Sequence, residues 1–203
     1  MTDGKMPGEE KAWEILATLE PEDVCKAASV DYDPVHSRYT VTSFGMDFVV
    51  SLEDRSISST SQGSDALLHR LGPFFRLSIL WYLVNARNIA CTGRLVKLEH
   101  IRGGDIFTIG SHRLPLDEAA KKYGKDKKGF IEKGRTLGGR IDQYGDASIR
   151  LYPLPRIPVI VALWLEDEEF PARADLLFDS TCEMQLPTDI IWSIAMISVL
   201  VLL

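Results

Sequence analysis

Two apolar runs, Ile157–Leu165 and Ala174–Phe178, flank four consecutive acids, Glu166, Asp167, Glu168 and Glu169, closed by Phe170 and Pro171. Runs this continuous belong to strands covered on both faces, so the pattern predicts a buried hairpin with an acidic turn. Upstream, Gly145-Asp146 opens a strand to about Tyr152, and Pro153, Pro155 and Pro158 keep the backbone extended and exclude helix. Earlier still, Tyr39–Thr42 and Asp47–Leu52 surround Ser43-Phe44-Gly45-Met46, the pattern of a hairpin with a short glycine-containing loop. Arg94–Glu99 alternates as a short strand.

Helical spacing appears elsewhere. Ala12, Trp13, Leu16, Ala17 and Leu19 make a stripe over Glu9–Leu19, and Pro21 followed by two acids starts a helix over Glu22–Ala28. Ala66–Ala86, with Ser64 or Asp65 as its cap, is broken at Gly72-Pro73 because proline removes a helical hydrogen bond. Its second half, Phe74–Val84, is apolar nearly all round and so predicts an enclosed helix, with Trp81 and Tyr82 in the core. Leu116–Tyr123 and Asp126–Leu137 read as two short helices, and Pro187-Thr188-Asp189 starts a last one with Thr188 as its cap. Ile190–Leu203 carries no charge. As a helix it reaches only about 21 Å against a bilayer core of about 30 Å, so it is expected to pack on Phe74–Val84 and the central hairpin instead of spanning a membrane. Together these elements predict an α+β fold: an antiparallel or mixed sheet packed against a central apolar helix and a C-terminal helix.

Composition narrows the function classes. A chain of 203 residues, 45% hydrophobic and 26% charged, is long enough to bury one sizeable core. A net charge of −6 argues against nucleic-acid binding, which relies on lysine and arginine neutralising phosphates. The one basic cluster, Lys121, Lys122, Lys125, Lys127, Lys128, Lys133 and Arg135, is interspersed with acids and reads as a solvated helical face or as a site for an anion or an acidic partner. Cys25, Cys91 and Cys182 are widely spaced and odd in number, which fits a reducing compartment. The N-terminal stretch lacks the basic, apolar, small-residue order of an export signal, so a cytoplasmic location is expected.

Candidate chemistry centres on carboxylates. Glu166, Asp167, Glu168 and Glu169, with His112 or His100 nearby, could hold a divalent cation or serve as an acid–base pair; the same acids could simply be the solvated tip of a hairpin. Asp179 joins them only if the topology brings it to the same end of the sheet. His36 and His69 lack metal-motif spacing, and Cys91 and Cys182 lack a C-x-x-C partner.

The strings ILWYLVNA (Ile79–Ala86), TGRLVKLEHIRGGD (Thr92–Asp105), LPLDEAAKKYG (Leu114–Gly124), LPRIPVIVALW, DEEFPA and LLFD resemble the bacterial and archaeal domain-of-unknown-function 3786 family. The last three are the most specific. The resemblance divides residues 1–203, read as a single domain, into an N-terminal helical extension over 1–24 and a family-like region over 25–203. It implies a domain met mainly in anaerobes, some members being joined to a four-cysteine iron–sulfur segment like that of corrinoid iron–sulfur proteins, a segment this sequence lacks. From it follows the expectation of a nonenzymatic accessory protein that binds a cofactor, such as a corrinoid, or a protein partner in anaerobic corrinoid or iron–sulfur metabolism. The alternative is a metal-dependent enzyme in which the acidic turn holds a divalent cation and activates water.

Overall fold

Residues 8–105 and 110–203 are described in the computed structural model, so the first seven residues of the expected N-terminal extension lie outside the described residues. The chain is mixed α+β, as the pattern of periods implies. Its most enclosed early helix is α3 (Gly72–Asn85), which buries Phe75, Leu77, Ile79, Leu80, Tyr82 and Leu83 on several sides. Pro73 sits in its first turn, where the missing N–H costs nothing. The expected break is therefore there, but the segment before it, Ala66–Arg70, is a single wide π-helical turn; the carbonyl of Ser64 receives Leu67 and Leu68 N–H in place of a side-chain cap.

Three helices hold α3. α1 (Glu9–Leu16) packs along it, ending earlier than the stripe to Leu19 suggests, and α2 (Pro21–Ala28) touches it at Tyr82, whose hydroxyl donates to the Ala28 carbonyl at 2.7 Å. α7 (Thr188–Leu200) lies against it as expected, burying Ile190, Ile191, Ile194 and Ile197 together with Ser193 and Ser198. Those two hydroxyls are satisfied by carbonyls one turn back, Asp189 and Ile194, which is how a helix without a polar face disposes of its serines. Thr188 does not cap α7; its hydroxyl donates to the Arg102 carbonyl at 2.9 Å. Among the described residues no helix is long and apolar enough to cross a membrane.

The strands form two sheets, where one was expected. β1 (Asp31–Asp33), β2 (Arg38–Ser43), β3 (Met46–Ser51) and β4 (Ser56–Ser58) make an antiparallel meander. The outer two are short and polar, and the sequence pattern does not announce them. The β2–β3 turn puts Phe44 at φ 50° and Gly45 at φ 74°, the two positive values that a two-residue hairpin turn needs. The second sheet comprises β5 (Leu95–Lys97), β6 (Arg140–Ile141), β7 (Ala147–Leu154), β8 (Ile157–Trp164) and β9 (Arg173–Asp179), all antiparallel in the order β5-β9-β8-β7-β6.

β8 and β9 are the predicted hairpin, running from Val159↔Phe178 to Trp164↔Arg173 at the acidic turn. β8 also pairs with β7, but the register shifts between Leu151 and Leu154. Pro158 stands at this interruption, where its missing N–H leaves no gap in the ladder. The irregular segment turns two carbonyls toward the first sheet: Tyr152 accepts from Phe44 N–H at 2.9 Å and Pro153 from the Ser43 hydroxyl at 2.7 Å. Beside this joint Gly45 meets Gly138, and a Cβ on either would come within about 3 Å of the other's Cα (3.0 and 2.8 Å), so the two backbones touch.

The two faces of the second sheet differ. Ile149, Leu151, Val159, Val161, Leu163, Leu176 and Phe178 share one contiguous apolar cluster with α3, α7, α4 (Leu116–Tyr123) and α5 (Lys127–Thr136). α5 lies close enough that a Cβ on Gly134 would reach Ile149 at 2.6 Å. Asp126 caps α5 by accepting from Gly129 N–H at 2.8 Å. The alternate residues of the same strands, Arg150, Tyr152, Ile160, Ala162, Trp164, Arg173, Asp175 and Leu177, form the opposite face, and Ile160 and Ala162 are buried outside that cluster.

Candidate functional site

The face turned away from the helices is paved by its own long side chains. Register places Arg150, Ile160 and Leu177 in one row, so the aliphatic stem of Arg150 and the Leu177 side chain flank Ile160 and leave it only 1% exposed. In the next rows Ala162 lies between Ser148 and Asp175, and Trp164 opposite Arg173. β8 is thus buried on both faces as its composition implies, on one side by helices and on the other by neighbours within the sheet.

Charges on the sheet face are paired. Arg150 grips Asp142 through Nε at 2.8 Å and Nη2 at 2.6 Å; burial works against the guanidinium, and Asp142 more than restores it, raising its pKa. Asp175 is shared by Lys97 at 3.3 Å and Arg173 at 3.9 Å. The Arg173 guanidinium also stands 4.1 Å over the Trp164 ring, and Arg140 lies 5.9 Å over Tyr152. Beyond Trp164 a groove of about 490 Å³ is bounded by Asp146, Phe170, Pro171 and Arg173, with Phe170 65% exposed. A large exposed apolar ring beside arginine and aromatic side chains is the composition of a binding face.

The acidic turn forms the edge of this groove. Glu166 pairs with Lys125 at 2.8 Å, a contact that raises the lysine's pKa, and its N–H donates to Gly124. Asp167 folds back to accept from Glu169 N–H at 2.9 Å and Phe170 N–H at 2.7 Å, the local turn that aspartate favours. Glu168 and Glu169 are exposed. His112 lies in a 3-10 turn at Gly110–His112, its carbonyl accepting from Trp192 Nε1 at 2.7 Å and its ring 5.3 Å from the Trp192 ring. His100 is exposed after β5, His36 pairs with Asp33 at 2.6 Å, and His69 lies 3.8 Å from Asp65. Among the described residues no group of three or more His, Cys, Asp and Glu side chains could hold a metal ion.

Asp179 lies at the far end of β9 from that turn, about 20 Å of strand away. It is buried and ties down the loop after α3 by accepting from Thr92 N–H and hydroxyl, Gly93 N–H and the Thr181 N–H and hydroxyl. Burial alone would raise this carboxyl, but the donors of Thr181, Thr92 and Gly93 prevail and its pKa is lowered. The thiols move the other way. Burial pushes Cys182 up to about 12 and also raises Cys25 and Cys91, with Asp31 and Glu22 adding to the first and Asp179 to the second. None has the lowered pKa of a nucleophile, and among the described residues none belongs to a group of three or more side chains that could hold a metal.

The basic cluster does not form one patch. Lys125 answers Glu166, Lys128 lies 3.7 Å from Glu132, and Lys122 turns to the end of α7. The cations that do share a surface, Lys97, Arg140, Arg150 and Arg173, are scattered in sequence. Their signal is the alternation Ser148-Ile149-Arg150-Leu151-Tyr152 and Arg173-Ala174-Asp175-Leu176, which marks one polar face on each strand and becomes a site only once register sets them side by side. Elsewhere a groove of about 650 Å³ between α2 and β1 has the opposite charge, with Glu20, Glu22, Asp23 and Asp31 in its walls.

A family model described as a domain of unknown function (DUF3786) matches residues 20–200 of the 203-residue chain. No curated protein and no solved structure matches it.

Proposed function

The chain belongs to the family of DUF3786, a domain of unknown function, and from its open sheet face we infer a nonenzymatic accessory protein that binds a protein partner there. The carrying observation is a sheet face on which Lys97, Arg140, Arg150 and Arg173 stand with Trp164 and Tyr152, beside a groove that presents exposed Phe170 at the acidic turn. Arginine and aromatic residues concentrate binding energy, and complementary charge sets orientation and encounter rate. The partner is therefore a protein with acidic groups for Arg150 and Arg173, and an apolar pocket for Phe170 flanked by basic groups that meet the acidic turn.

The resemblance carried by DEEFPA, LPRIPVIVALW and LLFD supports a partner from anaerobic corrinoid or iron–sulfur metabolism, with the corrinoid or cluster held by that partner in the cytoplasm. This chain's own thiols are raised, so in this reading they stay out of the cofactor chemistry.

Anaerobic calorimetric titration of the purified chain with a purified corrinoid iron–sulfur protein tests this. The expected result is saturable binding that weakens with added salt and is lost in the double variant Arg150→Glu, Arg173→Glu. Saturable binding that the double variant leaves intact, or no binding at low salt, overturns the reading.

A further inference from the structure

Around α5, Lys122, Lys125 and Lys128 are each answered by an acid or a carbonyl, and Lys133 is not. Half-buried on α5, it has no acidic partner among the described residues and faces a cavity of about 540 Å³ between the π-helical turn, α5 and the end of α7. Arg70, Gln62 and Thr136 are polar groups of that wall, and Leu137, Val201 and Leu203 are part of its apolar lining. Its volume is that of a small-molecule site, with polar and apolar lining in near-equal measure.

The neighbouring cations are partly committed elsewhere. Arg70 Nη2 reaches the Leu200 carbonyl at 3.5 Å, and Lys122 Nζ reaches the carbonyls of Leu202 at 3.1 Å and Leu203 at 2.6 Å, where the end of a helix favours positive charge. Those carbonyls draw two cations toward a third. Burial, then Lys122, then Arg70 lower the pKa of Lys133. A half-buried ammonium facing like charges is relieved by an anion entering beside it.

We propose that this cavity binds a small organic anion, a carboxylate or phosphate head on an apolar body, with Lys133 as ion partner, Arg70 and Gln62 as further donors, and Leu137 and Val201 against the body. It stands apart from the sheet face and does not depend on the partner reading.

The test is calorimetric titration with octanoate, octyl phosphate, octanol and inorganic phosphate. Saturable binding of octanoate or octyl phosphate is expected, weakened at least ten-fold by Lys133→Met and by Arg70→Met, and unchanged in Lys128→Met, whose lysine is paired with Glu132. Carbon-13 detection of the Lys133 side chain adds a reading that a structural lysine would not give: its pKa rises when the anion is bound, so affinity falls as pH climbs through the titration of Lys133. Which amphiphile binds more tightly assigns the head group. Three results overturn the proposal: neither amphiphile binds, octanol or inorganic phosphate binds as tightly as they do, or Lys133→Met binds as well as the parent while keeping its melting temperature.

Discussion

The two faces of the β5–β9 sheet bury β8 almost equally and by different means. On one, Val159, Val161 and Leu163 join the cluster built by α3, α4, α5 and α7; on the other, Ile160 and Ala162 are covered by the side chains of β7 and β9. The first kind of burial is cooperative, since each side chain is held by several elements. The second is local and leaves polar ends free, so a surface can carry function while still shielding the strand beneath it.

The largest effect should come from breaking the covered face at its outer layer. Ile194→Asp places a carboxylate without a partner in a site 1% exposed, a loss comparable to a whole net stability of about 5–15 kcal/mol, and should give insoluble or molten protein without near-ultraviolet circular dichroism. Tolerance of this change in an isolated monomer would remove α7 from the core.

A matched pair then compares the faces directly. Leu151→Ala on the covered side should cost about 2–5 kcal/mol by urea denaturation. Its neighbour Arg150→Ala, on the open side, should cost less, about 1–2 kcal/mol, because it uncovers Ile160 and leaves Asp142 without its partner at a site still reached by water. Equal losses would mean that the open face is as cooperative as the other.

Asp179 sharpens the contrast through pH. Its folded pKa lies below the unfolded value of about 3.9, so its stabilisation is complete above that value and is lost as pH falls through the folded value. Asp179→Asn should lower stability at neutral pH by about 1.5–3 kcal/mol and flatten the acid limb of the stability profile. An acid limb with unchanged slope would show that other carboxylates control it. The smallest change is Lys125→Ala at the turn: its exposed pairing with Glu166 should leave the melting temperature within error of the parent.

Much of this architecture can be read from period and punctuation. The Ser43–Met46 turn, the proline break before α3, the enclosed α7 and the β8–β9 hairpin follow from alternation, glycine and proline alone. β1 and β4 do not, because Asp31-Tyr32-Asp33 and Ser56-Ile57-Ser58 are too short and polar to show a period, and they exist because a long strand beside them offers a free edge. Nor does the second sheet, since hydrogen-bond partners are chosen by three-dimensional register. The candidate site is legible only in part: four adjacent acids draw the eye in the sequence, whereas Arg150 and Arg173 are made neighbours of Asp142 and Asp175 by pairing across strands.

The brackets around β8 have a meaning for the chain before it folds. Ile157–Leu165 is the kind of uncharged, strand-prone segment that stacks into fibrils. Pro153, Pro155 and Pro158 deny donors at one end. At the other, copies stacked in register would bring four carboxylates per layer within about 4.8 Å of their equivalents. Like-charge repulsion between these carboxylates opposes such stacking in an unfolded chain.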